Sequence, residues 1–268
     1  MTPTLFPFLR TGAMAACALA GGLAHADARS DLRTALARLA GEGPIRGTLE
    51  VSSMKRRGEG KEAFERAGQA AIQIEDGPRG LQLRYGADAL ARLDAEARAS
   101  GKDPEAKTPT IDALKEIDAP GVRPLLAAAE ALGRQIEGAT FKGERAEAWR
   151  GRPARVVSFT LPMETLNREQ KKYVKHFDGT LDVWIAADGT PLASAQHVNV
   201  SGRALVVIGF EAQDDLDRVY AVAGDRLVVV RDEHHDVNSG GGQQGEERVV
   251  KTLALECTSR GGRIRGQV

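Results

Sequence analysis

"FDGTLDVWIAADGTPLASAQHVNV", residues Phe177 to Val200, decides the fold. Leu181, Val183 and Ile185 alternate with Thr180 and Asp182, so one face of the first half is apolar and the other polar. That period of two belongs to a β-strand with one buried side. Asp188-Gly189 then supplies turn chemistry, and a type I′ turn is expected at the tip because it suits Asp-Gly between alternating strands. The segment therefore reads as an antiparallel hairpin.

Working outward from it, the same signals repeat in both directions. Downstream, "RALVVIGFEA", "RVYAVAGDRLVVVRD" and "ERVVKTLALE" read as further strands of a meander. Upstream, "ATFKGERAEAWRGRPARVVSFTLP" reads as two strands about "RGRP". Near the start, Ile45, Gly47, Leu49 and Val51 of "IRGTLEVSS" alternate with polar residues. "AFERAGQAAIQIED" and "RGLQLRYG" follow as two more strands joined by the turn "DGPRG". The total is roughly ten strands, more than a flat sheet with a single buried face needs. "ALVVIGF" and "LVVV" are apolar on both faces, so both sides of those strands are expected to be covered, by core or by a ligand.

Helices interrupt this pattern in two places. "DARSDLRTALARLA" spaces Leu32, Leu36 and Leu39 on one helical face, with Asp27 or Ser30 as N-cap and Gly41 as a stop. A helical insertion is expected at about residues 87–136, through "ADALARLDAEARAS", "TIDALKEI" and "GVRPLLAAAEALGRQI". Pro120 precedes the last of these and Pro124 falls in its first turn, where proline is tolerated.

The first 26 residues read as an export signal. Arg10 provides the charge, "TGAMAACALAGGLA" the apolar stretch and "AHA" the small-x-small cleavage pattern. The apolar part is shorter than the ~20 residues a spanning helix needs. The mature chain is then expected to begin at Asp27, as one domain over residues 27–268, in the periplasm. A second reading takes "MAAC" as a lipid-attachment box, leaving the protein anchored to a membrane through Cys17. If Cys17 leaves with the signal, Cys257 is alone and no intramolecular disulfide can form. Lys+Arg and Asp+Glu each number 37, a balance that argues against nucleic acid as a partner.

The most chemically suggestive stretch is "RDEHHDVNSGGGQQGEE", Arg231 to Glu247. On an extended strand Glu233 and His235 share one side, and His234 and Asp236 the other, so they cannot close on one metal ion. Gly240, Gly242 and Gly245 match G-x-G-x-x-G in form, but strand-like "EERVVKTLALE" follows where a phosphate-binding helix is required. The stretch reads as a flexible, solvated hairpin loop. No catalytic motif, cofactor or metal site is expected, and His176, His197, Trp149 and Trp184 read as surface or packing residues. An enzyme is not indicated.

The order of elements resembles one known family. A signal, the amphipathic helix "DLRTALARLA", "IRGTLEVSS" opening an antiparallel sheet, inserted helices and a closing meander are similar to the LolA/LolB-type lipoprotein-carrier superfamily. The resemblance implies an α+β fold: a strongly curved antiparallel sheet of about ten strands, a half-open barrel. The N-terminal and inserted helices would pack on its concave side, and acyl chains would lie in the hollow. It also implies a non-enzymatic cell-envelope protein binding a hydrophobic ligand or lipid, with a possible envelope protein partner. Leu181, Val183, Ile185, Val206, Ile208 and Phe210 are the expected lining of the hollow. The alternative is a structural or regulatory interaction module of the periplasm whose core is filled.

Overall fold

The computed structural model describes residues 27–58, 63–166, 168–204 and 208–256. The stretch read as an export signal, with Cys17, and the residues Val206 and Cys257 lie outside the described residues.

Ten strands form one antiparallel sheet: β1 (Ile45–Arg57), β2 (Phe64–Asp76), β3 (Gln82–Arg84), β4 (Thr140–Trp149), β5 (Arg152–Thr160), β6 (Val174–Ile185), β7 (Pro191–Ala204), β8 (Ile208–Ala223), β9 (Arg226–Gly240) and β10 (Gln243–Leu255). Their order is β3-β2-β1-β10-β9-β8-β7-β6-β5-β4, so the sheet is open, with β3 and β4 at its edges. The first and last long strands meet in the middle, where Leu49 of β1 lies opposite Leu253 of β10. That pairing joins a three-strand N-terminal unit to the C-terminal meander. The α+β half-barrel expected from the sequence is what the chain forms.

The helices are α1 (Ala28–Arg38), α2 (Ala87–Ser100), α3 (Pro109–Leu114), α4 (Ala119–Leu126), α5 (Ala128–Glu137) and the short α6 (Arg168–Lys171). Asp27 caps α1, its carboxylate accepting from the Arg29 N–H at 3.1 Å, and Leu32 and Leu36 are buried as their spacing predicts. All of α2 to α5 falls between β3 and β4, so the insertion covers the stretch read as helical. The run Gly121–Ile136, however, is two helices rather than one. Ala127 leaves the helical region at φ −115°, ψ 50°, and the carbonyl of Leu126 just before it accepts from the buried Arg226 at 2.9 Å. A side chain from the sheet thus takes a carbonyl at the end of α4.

The core lies between the helices and one face of the sheet. Leu32, Leu126, Leu132 and Ile136 of the helices pack with Leu49, Ile72, Leu227, Phe159 and Leu181 of the strands, all 0–1% exposed. Gly68 on β2 shows how close the helices come: an added Cβ would stand 2.6 Å from the backbone nitrogen of Ala113 in α3.

Three stretches differ from the sequence reading. At the β6–β7 tip only Gly189 has positive φ, +81°, and its N–H donates to Ala186 while the Ala186 N–H donates to Thr190. This is a longer turn with glycine in the left-handed position, in place of the two-residue type I′ turn expected. The glycine-rich stretch shows the opposite change. Strands β9 and β10 continue to Gly240 and from Gln243, and only Gly241 and Gly242, with φ of +61° and +78°, make the turn. Two consecutive glycines meet the type I′ requirement, so most of the supposed loop is ladder. Finally, "RALVVIGFEA" is not one strand. Ala204 at the end of β7 pairs with Ile208 at the start of β8, so the stretch belongs to two antiparallel strands, with residues 205–207 outside the described ones.

Candidate ligand-binding face

The sheet face that meets the helices divides into three zones along the strands. The first is apolar. Leu181, Val183 and Ile185 project from β6 beside Val157 and Phe159 of β5, all 0–1% exposed under the helices. Helix α1 is fixed over this end by its Asp31, whose carboxylate accepts from Arg155 of β5 at 2.6 Å. The glycine at the β6–β7 tip comes so near that a Cβ on Gly189 would meet the Asp31 carbonyl oxygen at 2.3 Å.

The second zone is a polar layer just beyond the helices. Tyr220 and Ser194 share a hydrogen bond of 2.8 Å, and Arg218 donates to Asp232 at 2.7 Å. Gln135 of α5 donates to Gln196 of β7. Burial opposes the Arg218 charge, but the Asp232 carboxylate outweighs it and holds the guanidinium pKa above its ordinary value. Burial likewise pushes the Tyr220 phenol up. The layer is satisfied internally, as buried polar groups generally must be.

The third zone is charged and not covered. In register across β8, β9, β10, β1 and β2 lie Asp214, Asp236, Glu247, Lys55 and Arg66. Lys55 pairs with Glu247 at 3.0 Å, and His234 bonds Asp214 at 2.8 Å with both side chains 40% exposed. That hydrogen bond, working against partial burial, raises the His234 pKa above its ordinary value. Like charges directly opposite on neighbouring strands are unfavourable. Asp214 and Asp236 hold that position, relieved by the adjacent imidazole.

Of the six expected lining residues, Leu181, Val183 and Ile185 lie together in the apolar zone. Ile208 begins β8, and Phe210 follows it half-buried opposite Gly202. Leu181 faces Gln196 and Leu216 across the sheet, so Phe210 is six positions further along β8, roughly 20 Å at strand rise. The two groups are not brought together. Near Phe210 the far ends of β6 to β9 enclose a concavity of about 650 Å³ lined partly by Met163, Phe177, Val200 and Ala212. Phe177 and Val200 are the partly buried continuation of the core into this space.

Two further histidines pair with carboxylates on the opposite face. His197 bonds Asp215 at 2.8 Å and His235 bonds Glu246 at 3.1 Å. His234 and His235 thus point to opposite sides of β9, each to its own carboxylate. Among the described residues no three His, Cys, Asp or Glu side chains are placed to hold a metal ion. Trp184 faces away from the core residues Val183 and Ile185 and donates to Glu147 at 3.0 Å, while Arg150 stacks over Trp149 at 4.8 Å. Among the described residues no helix is long and apolar enough to cross a membrane.

No protein-family model matches the sequence, and no curated protein matches it either. Among solved structures, the chain is similar to a LolA superfamily protein from Nitrosomonas europaea. The identity is 10% and the TM-score 0.29, over 85% of this chain and 94% of that one. The likeness is one of architecture alone.

Proposed function

We propose that the protein is a non-enzymatic binding protein of the cell envelope, exported to the periplasm, that takes a hydrophobic ligand between its sheet and its helices. One observation carries the reading. The helix-facing side of the sheet carries two apolar groups of one core cluster, Leu49, Ile72, Leu227 and Val229 on β1, β2 and β9 and Leu181, Val183 and Ile185 on β6, with Ser194 and Tyr220 of β7 and β8 between them. Its cover is not a second sheet but the helices α1, α4 and α5, of 11, 8 and 10 residues. Short helices are weakly stable on their own and depend on this packing. An acyl chain that replaced part of the cover would recover about 0.8 kcal/mol for each methylene buried.

The reading requires α5 to move, which makes it testable. Gln135 of α5 and Gln196 of β7 touch across the boundary. In a Cys257→Ser background, Gln135→Cys with Gln196→Cys joined by a short bis-maleimide ties helix to sheet. The wild type is expected to bind a fluorescent fatty acid and to release lipid in native mass spectrometry. The cross-linked protein should lose that binding and the untreated double variant should keep it. Binding that survives the cross-link would show that the helices need not move.

A second reading has its own support. The hollow is filled by Leu126, Leu132 and Ile136, and α1 is tied down through Asp31. A permanently filled core suits an interaction module that meets an envelope protein partner with its outer surface. A wild-type protein with neither fatty-acid binding nor co-purified lipid would establish that reading over the first.

A further inference from the structure

On the face away from the helices, where β1, β2 and β3 end together, Arg46, Arg79 and Arg84 converge on one carboxylate. Arg46 of β1 stands directly opposite Glu75 of β2. Arg84 comes from β3, beside Gln73, and Arg79 comes from the tight turn closed by Gly80 N–H and Gly77 C=O at 2.8 Å. Their ion-pair distances to Glu75 are 3.0, 3.5 and 3.2 Å, the first two on Oε1 and the third on Oε2. The Glu75 side chain is only 20% exposed, while those of the arginines are 54–70% exposed. The carboxylate is therefore the floor and the guanidiniums are the walls. The three arginines line a concavity of about 260 Å³ together with Gln73, Ile74, Glu75 and Glu256.

We propose that this concavity is a binding site for a phosphate-bearing anion. One carboxylate has too few acceptor positions for three guanidiniums, each with five N–H donors in a planar fork. The ion pairs to Glu75 engage one terminal nitrogen, Nη2, of each arginine. Three like charges held in one small space repel one another, and the two carboxylates of the concavity, Glu75 and Glu256, leave one of the three unmatched. A tetrahedral phosphate bridging their outer edges meets the remaining positive charge, and guanidiniums favour such oxygens through paired donors. Glu75 then orients the forks from below. Arg46 above all keeps it ionised, its pKa lying below the ordinary carboxylate value. The wall residues come from three separate segments, β1, the β2–β3 turn and β3, so the site exists only in the folded chain. The same chemistry belongs to free phosphate or a soluble phosphate ester and to the headgroup of an anionic phospholipid.

The test uses the full mature chain. Inorganic phosphate is titrated calorimetrically, and co-sedimentation is measured with phosphatidylcholine vesicles with and without phosphatidylglycerol. Arg46→Gln with Arg84→Gln is compared with Arg92→Gln with Lys102→Gln, which removes the same charge from exposed positions elsewhere. Circular dichroism confirms that both fold. The site variant should weaken binding at least tenfold and the control should stay within twofold of wild type. Loss in the phosphate titration identifies a soluble anion as the ligand. Loss only with phosphatidylglycerol vesicles identifies the lipid headgroup. Equal weakening in site variant and control, or no binding of phosphate or anionic vesicles by wild type, overturns the proposal. Glu75→Gln gives a second check, because loss of the orienting carboxylate should change affinity while the net charge becomes more positive. Tighter binding there, as pure charge attraction requires, would also overturn a built site.

Discussion

Strand β9 runs through two environments on one face. At its start Leu227 and Val229 are 0% and 2% exposed under α4 and α5. Within a few residues the same face carries Asp232, His234, Asp236 and Asn238. The sheet does not change there; its cover does. On β9 the inward positions under the helices, Leu227 and Val229, are aliphatic, and those beyond them are polar, with Asp232 and His234 paired to β8. The covered end therefore holds most of the large buried side chains, and the uncovered end is held by strand pairing and by ion pairs. A β-bulge between Val219 and Tyr220 falls between the two zones, where the ladder shifts by one residue.

The largest effect should come from the residue that locks the covered end. Arg226 is 6% exposed and donates to Asp76 at 2.8 Å, to the Leu126 carbonyl at 2.9 Å and to the Gly43 carbonyl at 3.0 Å. It ties β2, α4 and the chain entering β1 to one point. Arg226→Met leaves Asp76 buried with only the more distant Arg123, at 3.8 Å, and should cost about 3–5 kcal/mol in urea unfolding. Adding Asp76→Leu should restore much of that loss. If the single variant unfolds like wild type, the covered end does not depend on this centre.

Next in size is a matched pair of truncations along one row. Leu181 and Leu216 share the helix-facing side with Gln196 between them, yet Leu181 is 1% exposed and Leu216 is half-buried. Leu181→Ala should lose about 2–5 kcal/mol by removing buried contacts and leaving a cavity. Leu216→Ala should lose less than ~2 kcal/mol, since water replaces part of what is removed. Equal losses would mean that the boundary between the two ends is misplaced.

This contrast also explains how far the sequence could be read. Alternation at Leu49, Val51, Leu181, Val183 and Ile185 marks strands because each faces a core built mainly of aliphatic side chains. The spacing of Leu32 and Leu36 marks α1 for the same reason. The uncovered zone carries no such pattern. Asp214, Asp236 and Glu247 become neighbours only through registers linking residues 11 to 22 positions apart, which local periodicity does not report. The three arginines about Glu75 were equally hidden. Arg79 and Arg84 sit near it in sequence, but Arg46 reaches it only by strand pairing. Between β7 and β8 the apolar run Ala204 to Phe210 misled because hydrophobicity alone does not separate one strand from the ends of two.

The smallest effect is electrostatic and belongs to the uncovered end. The hydrogen bond that the His234 ring donates to the Asp214 carboxylate raises the His234 pKa above its ordinary value, with Asp236 and Asp232 adding to the field. A pKa raised by folding means the folded state holds the proton more tightly than the unfolded one. Its stabilisation is complete below the unfolded value and fades as pH rises through the folded value. Both side chains are 40% exposed, so solvent screens the pair and the stability change should be slight. The ring itself is the better reporter. In a proton NMR titration the His234 resonances of the wild type should move with a midpoint above pH 6.5, and Asp214→Asn should bring that midpoint down. Urea midpoints for wild type relative to Asp214→Asn should be higher at pH 6 and converge towards pH 9. Added salt should shrink the difference, as for any solvated pair. If the His234 midpoint ignores the Asp214→Asn change, the paired-charge account of this zone fails at its best-defined contact. The same salt titration on Arg226→Met should leave its loss almost intact, because water and ions do not reach the buried pair, and that difference in screening separates the two ends of the sheet without reference to any ligand.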